Sequence, residues 1–303
     1  MATVYKSKKE AVRLLMKDQG EFGNSPQEMK FTVDYLSFFG YLSLYLLNNL
    51  TLEDLKASIK NFQKFFGIKA DGVAGPMTLK AMSYPRCGCP DVVDVEQADH
   101  RQYMQMQEMA HEKQQKWLKT ELTYFVDGYV TGLSKKVQDA CIAESFKAWS
   151  DVCGIHVKRF TARNKKNADI LVGVGRGKDH GFDGQGGTLA WAYLPEGNKQ
   201  LRMRFDLAEI WVKDQFARGV WMLPVATHEA GHILGLSHSK VKDALMAPYY
   251  NPFVSVPKPE DDIKRIQALY GPNREGLKMS SATRTIIIKP GEDLLITLSL
   301  IHI

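Results

Sequence analysis

The segment Val225-Ala-Thr-His228-Glu229-Ala-Gly-His232-Ile-Leu-Gly235-Leu-Ser-His238 places three imidazoles and one carboxylate in the pattern HExxHxxGxxH. On a helix, His228 and His232 fall one turn apart on one face, where both rings reach a single cation. Gly235 is free to take φ > 0, so the chain can bend sharply and return His238 as a third ligand. Three protein nitrogens leave tetrahedral zinc one position for water. Glu229, beside the first ligand, is placed to take that water's proton rather than to bind the metal. Such a zinc lowers the pKa of its water from about 15.7 to about 7 and polarises a carbonyl. The expected chemistry is metal-assisted peptide hydrolysis, with Glu229 as general base.

The elements that must position these groups follow from periodicity. From Trp117 onward, short β-type runs at 122–130, 154–160, 168–174, 189–194 and 202–207 alternate with helical patterns at 134–151, 221–234 and 259–269, which predicts an α+β domain. Upstream, apolar residues at Leu36, Phe39 and Leu42, then Leu52, Leu55 and Ile59, then Phe62, Phe65 and Phe66 predict a bundle of about three helices. Tyr84-Pro85 ends it. The expected boundaries are a polar leader at 1–30, a helical domain at 31–91, a linker at 92–116, the α+β domain at 117–272 and a tail at 273–303. The last residues, Leu298 to Ile303, read as a truncated or adapter-encoded end.

The chain has 303 residues, 44% of them apolar and 24% charged, the balance of a folded protein rather than a disordered one. A net charge of +6 without a long basic run argues against a nucleic-acid partner. The most apolar uncharged stretch, Tyr35 to Leu47, is shorter than the roughly 20 residues a bilayer crossing needs and reads as a buried helix. No secretion signal is visible in the first thirty residues. Cys141 and Cys153, in or just after one helix, lie about 18 Å apart at 1.5 Å per residue, too far for a disulfide.

The histidine segment, with Ser239 and then Ala244-Leu245-Met246-Ala247-Pro248-Tyr249-Tyr250, resembles the matrix metalloproteinases, or matrixins. Pro85-Arg86-Cys87-Gly88-Cys89-Pro90-Asp91 resembles that family's cysteine switch, PRCGxPD, and the helices before it resemble the family's propeptide. The likeness covers about residues 31 to 272 and includes no haemopexin-like domain. It implies a zincin-like catalytic domain, a twisted five-stranded sheet with three helices, behind a helical-bundle prodomain. It implies that Met246 forms the turn beneath the zinc and that Pro248 and Tyr250 wall a substrate pocket. It further implies that Cys87 holds the fourth zinc position at rest and that Arg86 and Asp91 pair to hold the switch loop. Cys89 is a second candidate sulfur, and motif alignment assigns the ligand to Cys87.

The resemblance also implies a calcium site of hard oxygens from Asp183, Gly184, Gly186, Thr188, Asp206 and Glu209. Of the family's second, structural zinc site this chain keeps one ligand, His180, while Trp191 and Arg204 stand where two histidines would be. One catalytic zinc, one calcium and no second zinc are therefore expected, with Arg202 or Arg204 supplying positive charge in place of a lost cation. The edge strand from Thr188, including Leu189 and Ala190, should pair with an extended peptide.

By resemblance, the chain is the secreted, monomeric proenzyme of an endopeptidase acting on extracellular matrix proteins. It would be activated by a protease cutting within 92–116 and met by tissue-inhibitor proteins. Two rivals are a cell-wall binding protein, because residues 62–81 also resemble peptidoglycan-binding helical modules, and a catalytically silent scaffold.

Overall fold

Helix starts in the N-terminal half are written as capping boxes. Ser25 and Thr51 accept the N–H groups of Glu28 and Asp54, whose carboxylates reach back to the cap backbone. Helices α2 (Pro26–Phe38) and α3 (Leu52–Phe65) begin there, and α4 (Pro76–Met82) begins on a proline. Leu36, Leu55, Ile59 and Phe62 of α2 and α3 are fully buried in one core.

The computed structural model describes residues 2–19, 24–43, 50–92, 115–161 and 165–274. It corrects the expectation of a polar leader at 1–30. Residues Ala2–Gln19 form a helix, α1, that lays Ala11 and Leu15 into the core of α2 and α3. The charged side chains that suggested a leader occupy the other face: Lys9, Arg13 and Lys17 recur every fourth residue and are exposed. Gln19 is buried, donating to the Gly72 carbonyl (2.9 Å) and accepting from the Ala74 N–H (2.9 Å). The stretch from Tyr35 to Leu47 is not one helix either, because α2 stops at Phe38 and Gly40 turns the chain at φ 84°. Residues 44–49 of that stretch, 93–114 of the expected linker and 275–303 of the expected tail lie outside the described residues.

The second half is a sheet with helices. Its strands are β2 (Glu121–Val126), β3 (His156–Arg159), β4 (Ile170–Gly175), β5 (Thr188–Ala192) and β6 (Leu201–Asp206), the five the sequence pattern predicts. They pair in the order β5, β6, β4, β2, β3, all parallel except β5 against β6. A sixth, unexpected strand, β1 (Arg86–Cys87), adds parallel to β5 at the edge. A separate pair, β7 (Trp211–Val212) and β8 (Val220–Trp221), leads into the metal helix.

The three helices are α5 (Lys135–Ser150), α6 (Met222–Ile233) and α7 (Lys264–Tyr270), the last entered through a wide π-type turn, Pro259–Ile263. Helices α5 and α6 lock together where the Trp149 indole N–H donates to the Thr227 carbonyl (2.8 Å), with Trp149 and Phe146 fully buried. Among the described residues, no helix is long and apolar enough to cross a membrane.

Candidate metal centre

His228 and His232 project from one face of α6, and their Nε2 atoms lie 3.1 Å apart. Each ring spends its Nδ1–H on a backbone carbonyl, Leu245 for His228 (2.7 Å) and Leu236 for His232 (2.6 Å). With Nδ1 protonated, a neutral imidazole presents a lone pair at Nε2. Two lone pairs facing each other at that distance repel unless a cation lies against both. Burial pushes the His228 ring down to about 3, and burial with His238 beside it pushes His232 far below its ordinary value, so protons do not serve as that cation.

The third ring arrives by the predicted turn. Gly235 has φ 103°, and a Cβ there would sit 2.0 Å from the Gln115 carbonyl oxygen, so only glycine fits. His238 returns with its Nε2 buried and without a hydrogen-bond partner. Beneath α6, Met246 is fully buried, and its sulfur lies where a Cβ on Gly231 would come within 2.3 Å. The turn that carries Met246 is held by Asp262, which accepts the N–H groups of Leu245 (2.7 Å), Met246 (3.1 Å) and Lys258 (2.8 Å).

Cys87 completes the group. Its sulfur lies 3.4 Å from His232 Nε2, and the ligand atoms of Cys87, His228, His232 and His238 all fall within 4.8 Å of one another. One sulfur and three nitrogens, all buried, suit zinc in donor type and number. Burial pushes the Cys87 thiol well above its ordinary value, with Cys89 and Glu229 adding to the effect, so a thiolate there needs a cation. Cys89 also lies within 4.8 Å of Cys87, Glu229 and His232, but its thiol donates to the Ala192 carbonyl (3.1 Å), while its backbone N–H donates to the Cys87 sulfur (3.2 Å).

Cys87 is held by what surrounds Arg86. The Arg86 guanidinium is buried, stacks 3.6 Å over the Phe39 ring, donates to Tyr35 and Asp91, and forms an ion pair with Asp91 whose members are 2% and 0% exposed. Asp91 also accepts from the Tyr41 hydroxyl (2.8 Å) and from His238 Nδ1 (2.8 Å). Burial alone would raise the Asp91 carboxyl, but Arg86 and then His238 outweigh it and hold it down to about 2.

The segment from Pro85 to Asp91, which resembles the family's switch, lies between two backbones. Arg86 and Gly88 donate to the Gly187 and Ala190 carbonyls on the β5 side (3.0 and 2.8 Å). Cys87 donates to the Pro248 carbonyl (2.9 Å), and Tyr250 donates to the Pro85 carbonyl (3.0 Å), on the other. Beside it opens a pocket lined by Leu189, Pro224, Val225, Pro248, Tyr250 and Val254 together with Glu229 and His228. The Tyr250 hydroxyl accepts from the Trp221 N–H (2.8 Å), which ties that wall to the start of α6. Glu229 is fully buried, neither of its oxygens has a hydrogen-bond partner, and burial pushes its carboxyl up to about 8.

The proposed calcium residues form a second acidic place. Asp183 accepts the Thr188 N–H (2.7 Å), Glu209 accepts the Gly186 N–H (2.6 Å), and Asp206 accepts the Ala208 N–H (2.8 Å). Gly184 and Gly186 both have positive φ. The other Asp206 oxygen is buried without a partner. Burial, then Asp183 nearby, raises Asp206; burial, then Asp206 and Asp183, raises Glu209. Crowded acids of this kind suit a hard divalent cation. Where the resemblance would put a histidine of the second zinc site, Arg204 is 12% exposed and donates to the carbonyls of Leu171 (2.8 Å) and Met203 (2.9 Å), with Asp127 at 3.4 Å. The Trp191 indole donates to the His180 carbonyl (2.7 Å).

Sequence reasoning missed Asp262, Tyr35, Phe39 and Tyr41, and the contact of Tyr249 with Phe66, whose ring centroids are 4.3 Å apart. Only the run of aromatics in α2 hinted at the Arg86 cradle. Nothing in the spacing joins Asp91 to His238.

The matrixin family profile matches residues 116–271, and a putative peptidoglycan binding domain profile matches residues 26–82. Interstitial collagenase B of Mus musculus is 36% identical over 239 residues, 76% of this chain and 47% of its own length. Interstitial collagenase of Oryctolagus cuniculus is 38% identical over 231 residues, covering 75% and 44%. Matrix metalloproteinase-20 of Homo sapiens is 37% identical over 223 residues, covering 71% and 42%. The chain thus spans about half the length of the curated relatives it matches. With the profile covering more than half of the chain and its histidines converging from helix and turn, this protein belongs to the matrixin family.

Proposed function

We propose that the chain is the latent form of a secreted zinc endopeptidase that cuts proteins of the extracellular matrix, with Cys87 as the residue that keeps it silent. One observation carries the reading: the sulfur of a segment from the helical half stands among the three histidine nitrogens of the other half. His228, His232 and His238 would hold the zinc, and Cys87 would close its remaining position. When bound with that position free, the zinc supplies an acidified water and a Lewis acid for the scissile carbonyl.

The protein's own residues do the rest. Removing the segment would free the Gly187, Ala190 and Pro248 carbonyls and the Tyr250 N–H, all now paired with it. A substrate strand laid between β5 and the 248–250 wall would take up the same partners, fixing its carbonyl over the centre. Its side chain would enter the apolar pocket at Val225 and Tyr250. Glu229, with both oxygens unpartnered, would take the proton of the attacking water and pass it to the leaving amine.

Activation would follow a cut within 92–116 by another protease, and tissue-inhibitor proteins would meet the freed cleft. Asp183, Asp206 and Glu209, with backbone oxygens of Gly184, Gly186 and Thr188, would hold one calcium. Arg204, beside Asp127, would supply the charge of the lost second zinc, so metal analysis of the full chain should give one zinc; two would reject this part. A cell-wall binding role for residues 26–82 is less well supported, because Tyr35, Phe39 and Phe66 of that bundle are buried around Arg86 and against Tyr249.

The test is cleavage of a fluorogenic collagen-type peptide by the full chain before and after limited proteolysis. A gain abolished by a chelator is expected, Cys87→Ser should be active without proteolysis, and Cys89→Ser should stay latent. Absence of any gain would reject the reading, and activation by Cys89→Ser instead would reassign the sulfur.

A further inference from the structure

All three histidines free Nε2 for a cation by donating Nδ1–H, but they do not donate to the same kind of group. His228 and His232 ride on α6, and their acceptors are the Leu245 and Leu236 carbonyls, neutral groups of the same domain. His238 stands on the turn beyond the helix, where no regular element fixes its ring. Its acceptor is the Asp91 carboxylate, 2.8 Å away and 147 residues earlier, on the segment that also carries Cys87. Both side chains are 0% exposed.

We propose that Asp91 is an outer-shell partner of the metal centre, positioning His238 and raising its strength as a ligand. The switch segment would then grip the zinc twice, directly through Cys87 and indirectly through Asp91 and His238. The inference rests on the zinc reading above. It follows that the latent chain retains zinc more tightly than loss of the sulfur alone explains, and that processing loosens the metal as well as uncovering it.

The physical basis is the charge of the acceptor. A carboxylate on Nδ1–H makes the opposite nitrogen more electron-rich than a carbonyl does and fixes the ring plane; losing such a partner typically costs about 10–100-fold in metal affinity. Asp91 is suited to the part because the Arg86 guanidinium and the Tyr41 hydroxyl both donate to it and fix it from its other sides. A purely mechanical role, in which Asp91 only ties down Arg86 and so presents Cys87, makes a different prediction. It would matter to the zinc only through the sulfur.

That difference sets the experiment. Full chains carrying Glu229→Ala, which cannot cut themselves, are compared with and without Asp91→Asn; zinc affinity is measured by competition with a chromophoric chelator, and the thiolate-to-metal absorption of the cobalt-substituted chains reports whether Cys87 still binds. Asp91→Asn is expected to weaken zinc binding at least about tenfold while the thiolate absorption stays. No loss of affinity, or a loss that comes only with loss of the thiolate absorption, overturns the proposal. A parent chain that takes up no zinc rejects the metal reading itself.

If Asp91→Asn does not fold, the question is read on an unsubstituted switch. In the zinc-loaded Glu229→Ala chain labelled with 15N-histidine, three slowly exchanging Nδ1–H signals are expected, that of His238 shifted furthest downfield. A His238 proton in rapid exchange with water overturns the proposal.

Discussion

His228, His232 and His238 converge because one turn of α6 and one glycine bring them together, all within a short run of chain. The cradle around Arg86 is built the other way. Tyr35, Phe39 and Tyr41 come from α2 and the turn after it, Phe66 from the end of α3, and Asp91 from the far side of the switch. Tyr249 closes it from the segment after Met246, against Phe66. The first region is local in sequence, although His238 also donates to Asp91 of the second. The second is a long-range assembly, which suits the proposed latent state, in which it would come apart on activation.

The largest effect should separate the two completely. Glu229→Ala removes the general base, and peptide turnover by the processed chain should fall about a thousandfold. Zinc content and latency of the unprocessed chain should stay as they were. A fall in zinc content alongside turnover would mean that the carboxylate helps to hold the metal, and the division between chemistry and positioning would be misplaced.

Arg86→Met attacks the cradle instead. It leaves Asp91 buried without its ion-pair partner, which typically costs about 3–5 kcal/mol. The cost should fall on docking of the switch: peptide cleavage by the unprocessed chain should rise towards that of the processed enzyme, which no longer carries residue 86 and serves as the reference. Latency left unchanged by Arg86→Met would sink the view that the cradle holds the segment in place.

This contrast also explains what could be read from the sequence. The HExxH spacing located the helix that carries His228, Glu229 and His232, because helical geometry turns spacing into position. Strand and helix runs from 117 to 272 named the elements for the same reason. The α1 helix was hidden because Ala11, Leu15 and Gln19 make a narrow buried stripe among many charges, and a buried glutamine carries no apolar signal. Asp91 was legible as the partner of Arg86 by resemblance, yet its bond to His238 depends on how two halves of the chain meet. No periodicity records that.

A third effect, of about 2 kcal/mol, follows from pH. The Asp91 carboxyl is held at about 2 against an ordinary 3.8, so its contribution of about 2 kcal/mol is present above the ordinary value and is lost as the pH falls through 2. Denaturation midpoints of the metal-free full chain, taken from about pH 5 down to about pH 2, should drop more steeply than those of Asp91→Asn. Parallel curves would show that Arg86 does not stabilise the charged form as the geometry implies.

The smallest effect tests the approach of the switch to its edge strand. A Cβ on Gly88 would come within 2.5 Å of the Thr188 methyl, and Thr188 is itself packed tightly at the start of β5. Gly88→Ala should therefore push β1 away from β5 at a cost of about 1 kcal/mol, the low end for one extra methyl in a filled space. The resulting leak of activity would be modest, a few-fold above the latent level, and should vanish when Thr188→Ser removes the opposing methyl. Rescue by that second change would place the strain between these two atoms. Failure of rescue would point to the backbone of the switch, and the edge pairing would then be less close-fitting than the cradle that flanks it.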